Sequence, residues 1–227
     1  MTQLMVAFDF PERDTLFEKL ELLKGLNVIA KIGMRSFPNL NVSDYAKIKE
    51  LGFKLFVDAK LHDIPSQVAD AVSTWQSIGA DFLTVHISGG KTMLKSSVDQ
   101  SKNCQICGVS VLTSLGDEDL SELEWKDSSQ ELVIVLSSLA HRSGVPVIVC
   151  SAAESRTVKE KSPGIKTLCP GVYWKSTGNA PDQKRRVSLD QALEWNVDWI
   201  VMGREIWSQD NPRAHTIALL EKLANYE

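Results

Sequence analysis

The chain alternates short, almost continuously apolar runs with longer segments in which apolar residues recur every three or four positions. The short runs are rich in Val, Ile, Leu and Phe, which is typical of strands covered on both faces. They predict eight strands: Leu4–Asp9, Val28–Gly33, Phe53–Lys60, Phe82–His86, Ile106–Leu112, Val145–Cys150, Ile165–Pro170 and Trp199–Gly203. Helical spacing or a helix-start signal marks the segments Thr15–Lys24, Tyr45–Leu51, Pro65–Ile78, Gln130–Arg142, Ala152–Lys161, Leu189–Trp195 and Pro212–Leu223. Residues 116–129 and 173–182 follow neither pattern and are predicted to be loops, the second of them a lid.

Strands and helices that alternate in this number predict the α/β class and, within it, a single (β/α)8 TIM barrel. The length corresponds to about 28 residues for each strand–helix unit, slightly below the usual size of that fold. The loops must then be short, and residues 1–227 are expected to form one domain. A doubly wound open sheet is the competing fold, but it normally uses fewer strands, and no G-x-G-x-x-G follows the first strand.

Composition and charge exclude several classes of protein. Hydrophobic residues make up 43% of the chain and charged residues 24%, which is ordinary globular usage. With 25 Lys and Arg against 29 Asp and Glu, the net charge of −4 argues against a nucleic-acid partner. No apolar run approaches the ~20 residues that span a bilayer, and the N-terminus lacks the basic region of a signal peptide. Four cysteines in a chain of this length do not indicate a disulfide framework, so we expect a cytoplasmic protein with reduced thiols.

Polar residues stand where the predicted strands end, and the carboxyl ends of barrel strands carry the active site in this fold. The third strand has the densest set, in the segment Phe56–Pro65. Asp58 and Lys60 are two residues apart on a strand and are therefore predicted to share the face that points into the barrel mouth. A purely structural ion pair is the alternative reading of these two residues alone.

The third-strand segment resembles the Asp-x-Lys-x-x-Asp-Ile-Pro signature of the orotidine 5′-monophosphate decarboxylase family. Further segments resemble other parts of that family in the same order: Lys31-Ile32-Gly33, Val85–Gly90, Val111–Leu115, Pro170-Gly171-Val172, Asp182–Arg185 and Gly203-Arg204. The resemblance extends from Asp9 to Arg204, essentially the whole chain. It is to the stand-alone microbial form, which has no fused phosphoribosyltransferase.

The resemblance implies decarboxylation of orotidine 5′-monophosphate to uridine 5′-monophosphate, the last step of de novo pyrimidine synthesis, without a metal or organic cofactor. It implies that Lys60 donates a proton within an array formed by Lys31, Asp58, Lys60 and Asp63. The second aspartate of the motif, Asp63, comes from the partner subunit in this family, so a homodimer is expected. Further substrate contacts carried by the resemblance are Asp9 and Lys31 to ribose, Thr113 to the pyrimidine, and Gln183, Gly203 and Arg204 to phosphate.

Departures from the family pattern affect two of the predicted substrate contacts. Tyr173 stands where an arginine usually helps to hold the phosphate, and a phenol donates only one hydrogen bond. Lys184 or Arg185 is available to compensate. Gln67 stands where the family usually has threonine, and either Gln67 takes over the ribose contact or the contact is lost.

Rival functions remain open at this point. Metal-dependent relatives, 3-keto-L-gulonate 6-phosphate decarboxylase and hexulose-phosphate synthase, share the barrel and an Asp-x-Lys-x-x-Asp motif. They use a carboxylate on the second strand to help hold Mg²⁺, whereas this chain has Lys31 there, and an ammonium repels Mg²⁺. A non-catalytic barrel that binds a phosphorylated ligand is the second rival. The pair Cys104 and Cys107 has the C-x₂-C spacing but lacks the further ligands that a zinc site needs.

Overall fold

The computed structural model describes residues 1–175 and 186–226. Its strands are β1 (Gln3–Ala7), β2 (Ile29–Gly33), β3 (Lys54–Leu61), β4 (Phe82–His86), β5 (Gln105–Val109), β6 (Val147–Val149), β7 (Lys166–Pro170), β8 (Val172–Tyr173), β9 (Val187–Ser188) and β10 (Trp199–Met202). Its α-helices are α1 (Arg13–Leu23), α2 (Val42–Glu50), α3 (Pro65–Ile78), α4 (Gly90–Gln100), α5 (Asp117–Glu122), α6 (Ser129–Arg142), α7 (Ala152–Lys161), α8 (Leu189–Glu194), α9 (Arg204–Trp207) and α10 (Pro212–Ala224). Two short 3-10 helices cover Phe37–Asn39 and Ile87–Gly89.

Strands β1 to β7 and β10 form a closed barrel in which neighbouring strands run parallel, in the order β1-β10-β7-β6-β5-β4-β3-β2. The barrel closes because β1 pairs with both β2 and β10. The predicted (β/α)8 TIM barrel is thus confirmed. The strand pair β8 and β9, two residues each, lies outside the barrel and was not predicted.

Side chains in two layers hold the barrel together. Residues pointing inward fill its interior: Met5, Ile29, Phe56, Phe82, Cys107, Val147, Leu168 and Trp199. A larger apolar cluster fills the space between the strands and the surrounding helices. This double burial explains why the strand sequences are almost continuously apolar.

Residues at the first turn fix where two of the helices, α2 and α3, begin. Pro65 opens α3 at the first helical turn, as its sequence position predicts. Helix α2 begins one turn earlier than predicted, because the side chain of Asn41 accepts the backbone N–H of Asp44 and the Asp44 carboxylate accepts that of Asn41. This reciprocal cap satisfies two N–H groups that the helix leaves unpaired. No helix in 1–175 or 186–226 combines the length and the apolar character needed to cross a bilayer.

The carboxyl end of β3 departs from regular strand geometry. Val57 pairs with Leu83 and Leu61 pairs with Val85, so residues 58–60 lie opposite the single residue Thr84. Lys60 has a φ of 47°, in the left-handed region that non-glycine residues seldom adopt. Such bulges redirect side chains near the rims of barrels. The face shared by Asp58 and Lys60 therefore results from a bulge, and the simple strand alternation used to predict it does not describe this segment.

Candidate active site

Ion pairs connect four residues from the ends of the first three strands, which we call the charge network: Asp9, Lys31, Asp58 and Lys60. Lys31 Nζ donates a hydrogen bond to Asp9 Oδ1 at 2.9 Å and another to Asp58 Oδ2 at 3.4 Å. Lys60 Nζ donates to the other carboxylate oxygen of Asp58, Oδ1, at 2.8 Å. The charges therefore alternate in sign from Asp9 through Lys31 and Asp58 to Lys60, which limits repulsion within the network.

Burial and charge have opposite effects on the two central members. The side chains of Lys31 and Asp58 are only 9% and 15% exposed. Burial by itself lowers the pKa of Lys31, but the carboxylates of Asp58 and Asp9 outweigh it and raise this pKa above its usual value. Burial by itself raises the pKa of Asp58, but the ammonium groups of Lys31 and Lys60 outweigh it and lower this pKa. Both groups are therefore charged at neutral pH.

Gly33 allows Asp9 and Lys31 to approach each other closely. A Cβ at position 33 would lie 2.8 Å from Asp9 Oδ1 and 3.1 Å from Lys31 Nζ. Both distances are shorter than normal van der Waals contact, so a side chain here would displace the ion pair. Strand β2 thus supplies both the ammonium of Lys31 and, at Gly33, the space in which that ammonium contacts Asp9.

Thr84 belongs to this site and was not among the site residues predicted from the sequence. Its hydroxyl donates to Asp58 Oδ1 at 3.0 Å and accepts the backbone N–H of Lys60 at 2.8 Å. The available signal was one polar residue within the apolar strand Phe82–His86. Threonine is common in strands, so that signal is weak.

The charge network lines a cavity of about 830 Å³ at the carboxyl ends of the barrel strands. This size lies within the roughly 300–1,000 Å³ that is typical of small-molecule sites. Thr113 reaches the cavity from the turn after β5, and Gly203 and Arg204 reach it from the start of α9. These three residues and the charge network are the predicted site residues that the fold brings together.

Other predicted site residues lie apart from this cavity in the chain described. Asp63 and Gln67 are exposed, and a carboxylate oxygen of Asp63 accepts the backbone N–H of Ile64 at 2.6 Å. Tyr173 is half-buried, and the guanidinium of Arg186 lies 4.8 Å from the centre of its ring. Gln183, and the predicted lid beyond residue 175, fall outside the described residues.

The C-x₂-C pair has the properties of buried core thiols. Burial raises the pKa of Cys104 to about 12 and raises that of Cys107 well above its usual value. Both thiols are therefore protonated at neutral pH, and a protonated thiol is neither a good nucleophile nor a metal ligand. Across 1–175 and 186–226, no three His, Cys, Asp or Glu side chains lie together as a metal ion would require.

Comparison with known families shows which family the chain belongs to. Residues 2–218 match the sequence profile of the family described as Orotidine 5'-phosphate decarboxylase / HUMPS family. The chain belongs to this family.

Two curated relatives named orotidine 5'-phosphate decarboxylase match nearly the whole chain. The enzyme of that name from Wolbachia pipientis is 32% identical over 99% of this chain and 100% of its own length. The enzyme from Campylobacter concisus is 34% identical over 97% of this chain and 100% of its own length.

Solved structures of orotidine 5'-phosphate decarboxylases share the fold. The crystal structure of the enzyme from Lactobacillus acidophilus has a TM-score of 0.85 and 28% identity, and the match covers 97% of this chain and 98% of that one. The enzyme from Methanocaldococcus jannaschii, crystallised with the inhibitor BMP, has a TM-score of 0.78 and covers the same shares of both chains. At 21% identity, the second match shows the fold alone. The two curated relatives are named orotidine 5'-phosphate decarboxylase and align with nearly the whole of this chain, which identifies the protein as a carboxy-lyase.

Proposed function

We propose that this chain converts orotidine 5′-monophosphate to uridine 5′-monophosphate and CO₂, the last step of de novo pyrimidine nucleotide synthesis. The observation that carries the proposal is Lys60 Nζ held 2.8 Å from Asp58 Oδ1 in the wall of the cavity. An ammonium in this place supplies both a positive charge and a proton, the two things a carbanion at C6 of the pyrimidine requires.

In the proposed reaction the bond between C6 and its carboxylate carbon breaks and CO₂ leaves. The electron pair of that bond stays on C6. The Lys60 ammonium then transfers a proton to C6, and Lys60 regains a proton from solvent. The ring offers little delocalisation for the developing charge, so stabilisation falls to the protein.

The charge network supplies that stabilisation in the proposed mechanism. Its charges are fixed before the substrate arrives, so little reorganisation is required as charge develops on C6. Asp58 is placed near the substrate carboxylate. Two unit charges ~4 Å apart interact by roughly 4 kcal/mol at an effective dielectric near 20, and the departure of neutral CO₂ relieves that repulsion.

The remaining residues take binding roles in the proposal. Asp9 and Lys31 bind the ribose hydroxyls, and Thr113 binds the pyrimidine. Arg204 and the backbone of Gly203 bind the phosphate, because a guanidinium and an N–H at the start of α9 both suit an anion. Three further contacts are proposed from the family resemblance alone: Gln183 and Tyr173 to phosphate, and Gln67 to ribose.

The position of Lys31 supports decarboxylation without a metal ion. Its ammonium lies between the carboxylates of Asp9 and Asp58, 2.9 Å from one and 3.4 Å from the other. A Mg²⁺ held by these carboxylates would have to displace a buried cation of the same sign. This observation favours the nucleotide decarboxylase over the metal-dependent relatives.

We further propose that the enzyme is a cytoplasmic homodimer in which Asp63 of each subunit completes the array of the other. The exposed position of Asp63, beyond the end of β3, supports this arrangement. Its carboxylate is then available to a neighbouring subunit, where it would add a second negative charge beside the Lys60 of that subunit.

Replacement of Lys60 tests the proton-transfer step. General acid catalysis typically contributes about 10²–10⁴-fold, and Lys60 also stabilises the carbanion, so Lys60→Ala should lower kcat by at least about 10³-fold. The matched control is Lys54→Ala, which removes an exposed lysine from the other end of the same strand. Loss of orotidine 5′-monophosphate absorbance gives the rates, and circular dichroism checks folding. A Lys60→Ala enzyme as active as Lys54→Ala would refute the assigned role.

A further inference from the structure

We propose that Thr84 is the positioning residue that fixes the reactive side chain of Lys60, by joining the backbone of Lys60 to the carboxylate of Asp58. This inference rests on the proposed function. It concerns a residue on β4 that has no assigned substrate contact in that proposal. Thr84 acts through its two neighbours on β3, Asp58 and Lys60.

Hydrogen-bond chemistry fixes the direction of both Thr84 bonds. The backbone N–H of Lys60 can only donate, so the Thr84 hydroxyl oxygen accepts it at 2.8 Å. An ionised carboxylate can only accept, so the Thr84 O–H donates to Asp58 Oδ1 at 3.0 Å. The same oxygen, Asp58 Oδ1, accepts from Lys60 Nζ at 2.8 Å. The three bonds close a ring that begins at the backbone of Lys60 and returns to its side chain.

The ring of hydrogen bonds lies at the bulge in β3, where the regular pairing with β4 is lost. Residues 58–60 lie opposite Thr84 alone, so the regular ladder between β3 and β4 is interrupted at this point. Lys60 also adopts a φ of 47°, which the chain holds only when surrounding contacts favour it. Thr84 is 1% exposed, so its hydroxyl meets Lys60 and Asp58 with little competition from water. It therefore supports both the unusual backbone and the carboxylate that orients the ammonium.

The requirement on residue 84 is specific. The side chain must accept one hydrogen bond and donate another from a single atom while buried in a strand. A hydroxyl satisfies both conditions, whereas the isosteric side chain of valine satisfies neither. Serine retains the hydroxyl and loses only a methyl group, so it should preserve the ring.

Three variants separate positioning from general stability. Thr84→Val removes the hydroxyl, and Thr84→Ser retains it. The matched control is Thr167→Val, because Thr167 is also fully buried on a barrel strand and its hydroxyl bonds Ser155 and Asp198 away from the cavity. The measurements are kcat, KM and the thermal unfolding midpoint of each purified protein.

We expect Thr84→Val to lower kcat by roughly 10- to 100-fold, the effect of losing a hydrogen bond to a charged group, with KM changed less than about threefold. Thr84→Ser should stay within about threefold of the wild-type kcat. Thr167→Val should lower the unfolding midpoint and leave kcat near wild type. Equal kcat values for Thr84→Val and wild type, or an equal loss in Thr167→Val, would overturn the inference.

A second measurement does not depend on turnover. Burial raises the pKa of Asp58, the ammonium groups of Lys31 and Lys60 lower it, and the hydrogen bond from Thr84 Oγ1 at 3.0 Å adds to the lowering. An NMR titration of the Asp58 carboxyl carbon should therefore show a higher pKa in Thr84→Val than in wild type and Thr84→Ser. An unchanged Asp58 pKa in Thr84→Val would overturn the inference even in a protein without decarboxylase activity. Wild-type protein that fails to consume orotidine 5′-monophosphate would instead refute the proposed function.

Discussion

At the scale of single residues, the site combines groups that each need a neighbour to be stable. A buried ammonium such as Lys31 is unfavourable by itself, and Asp9 and Asp58 compensate for its burial. Asp58 and Lys60 were predicted from their spacing on the third strand, whereas the roles of Asp9 and Lys31 were predicted from the family resemblance. Thr84 was not predictable in the same way, because its role depends on a bulge in β3 that no local sequence signal marks.

The prediction at the scale of single residues concerns phosphate binding by Arg204. It lines the cavity at the start of α9 and is assigned to the phosphate. Arg204→Ala should weaken binding of uridine 5′-monophosphate by roughly tenfold or more and leave uridine binding almost unchanged, because only the nucleotide carries the dianion. Isothermal titration calorimetry with both ligands measures the difference. An equal loss for nucleotide and nucleoside would contradict the phosphate assignment.

At the scale of elements, the strands were more predictable than the helices. Each barrel strand is apolar on both faces, which leaves a strong signal, and β4 occupies Phe82–His86 as predicted. Helix α4 was not identified because it begins with Gly90 and buries only Met93, Leu94 and Ser97. Helix α5 lies within the segment predicted as a loop, and its six residues bury only Leu120. Helices that bury only one or two apolar side chains leave too little periodicity to detect.

Helices α1 and α2 are joined by an ion pair that predicts a pH effect. The Arg13 guanidinium donates to the fully buried Asp44 carboxylate and lowers the pKa of Asp44 below its usual value of 3.8. A lowered pKa means that the pair stabilises the fold above about pH 4, and that this stabilisation is lost as the pH falls through the lowered pKa. The gap in unfolding free energy between wild type and Arg13→Gln should therefore be largest near neutral pH and narrow in acid.

Urea denaturation across a pH series measures that gap. The matched control is Lys24→Gln, which removes the exposed ion pair between Lys24, directly after α1, and Glu21 on that helix. Exposed pairs contribute little, so the control should show a small gap at every pH. If the difference in unfolding free energy between wild type and Arg13→Gln stays constant from neutral to acid pH, the ion pair with Asp44 is not its source.

At the scale of the whole molecule, a single chain brings together only three of the four residues in the predicted array of Lys31, Asp58, Lys60 and Asp63. Lys31, Asp58 and Lys60 meet in the cavity, while Asp63 is exposed beyond the end of β3. The sequence motif places Asp63 near Lys60 along the chain, but the exposed position of its side chain became visible only in the fold. A homodimer that shares this residue remains a prediction.

Subunit mixing tests the shared residue. Lys60→Ala and Asp63→Ala are each expected to be inactive, and exchange of subunits should restore activity. In a mixed dimer, the Asp63→Ala subunit keeps Lys60 and receives an intact Asp63 from its partner, so one site of two is complete. Random mixing makes about half of all dimers mixed, so roughly a quarter of wild-type activity should return. No recovery after demonstrated exchange would show that Asp63 does not serve the neighbouring subunit.

The most direct test of the central claim is an absorbance assay of purified wild-type protein with orotidine 5′-monophosphate and excess EDTA. Lys31 already lies between the two carboxylates that would bind a metal ion, so the decay of substrate absorbance should be as fast with EDTA as without it. Chromatography should identify uridine 5′-monophosphate as the product. No decay under either condition, or decay that EDTA abolishes and Mg²⁺ restores, would contradict cofactor-independent decarboxylation by the charge network.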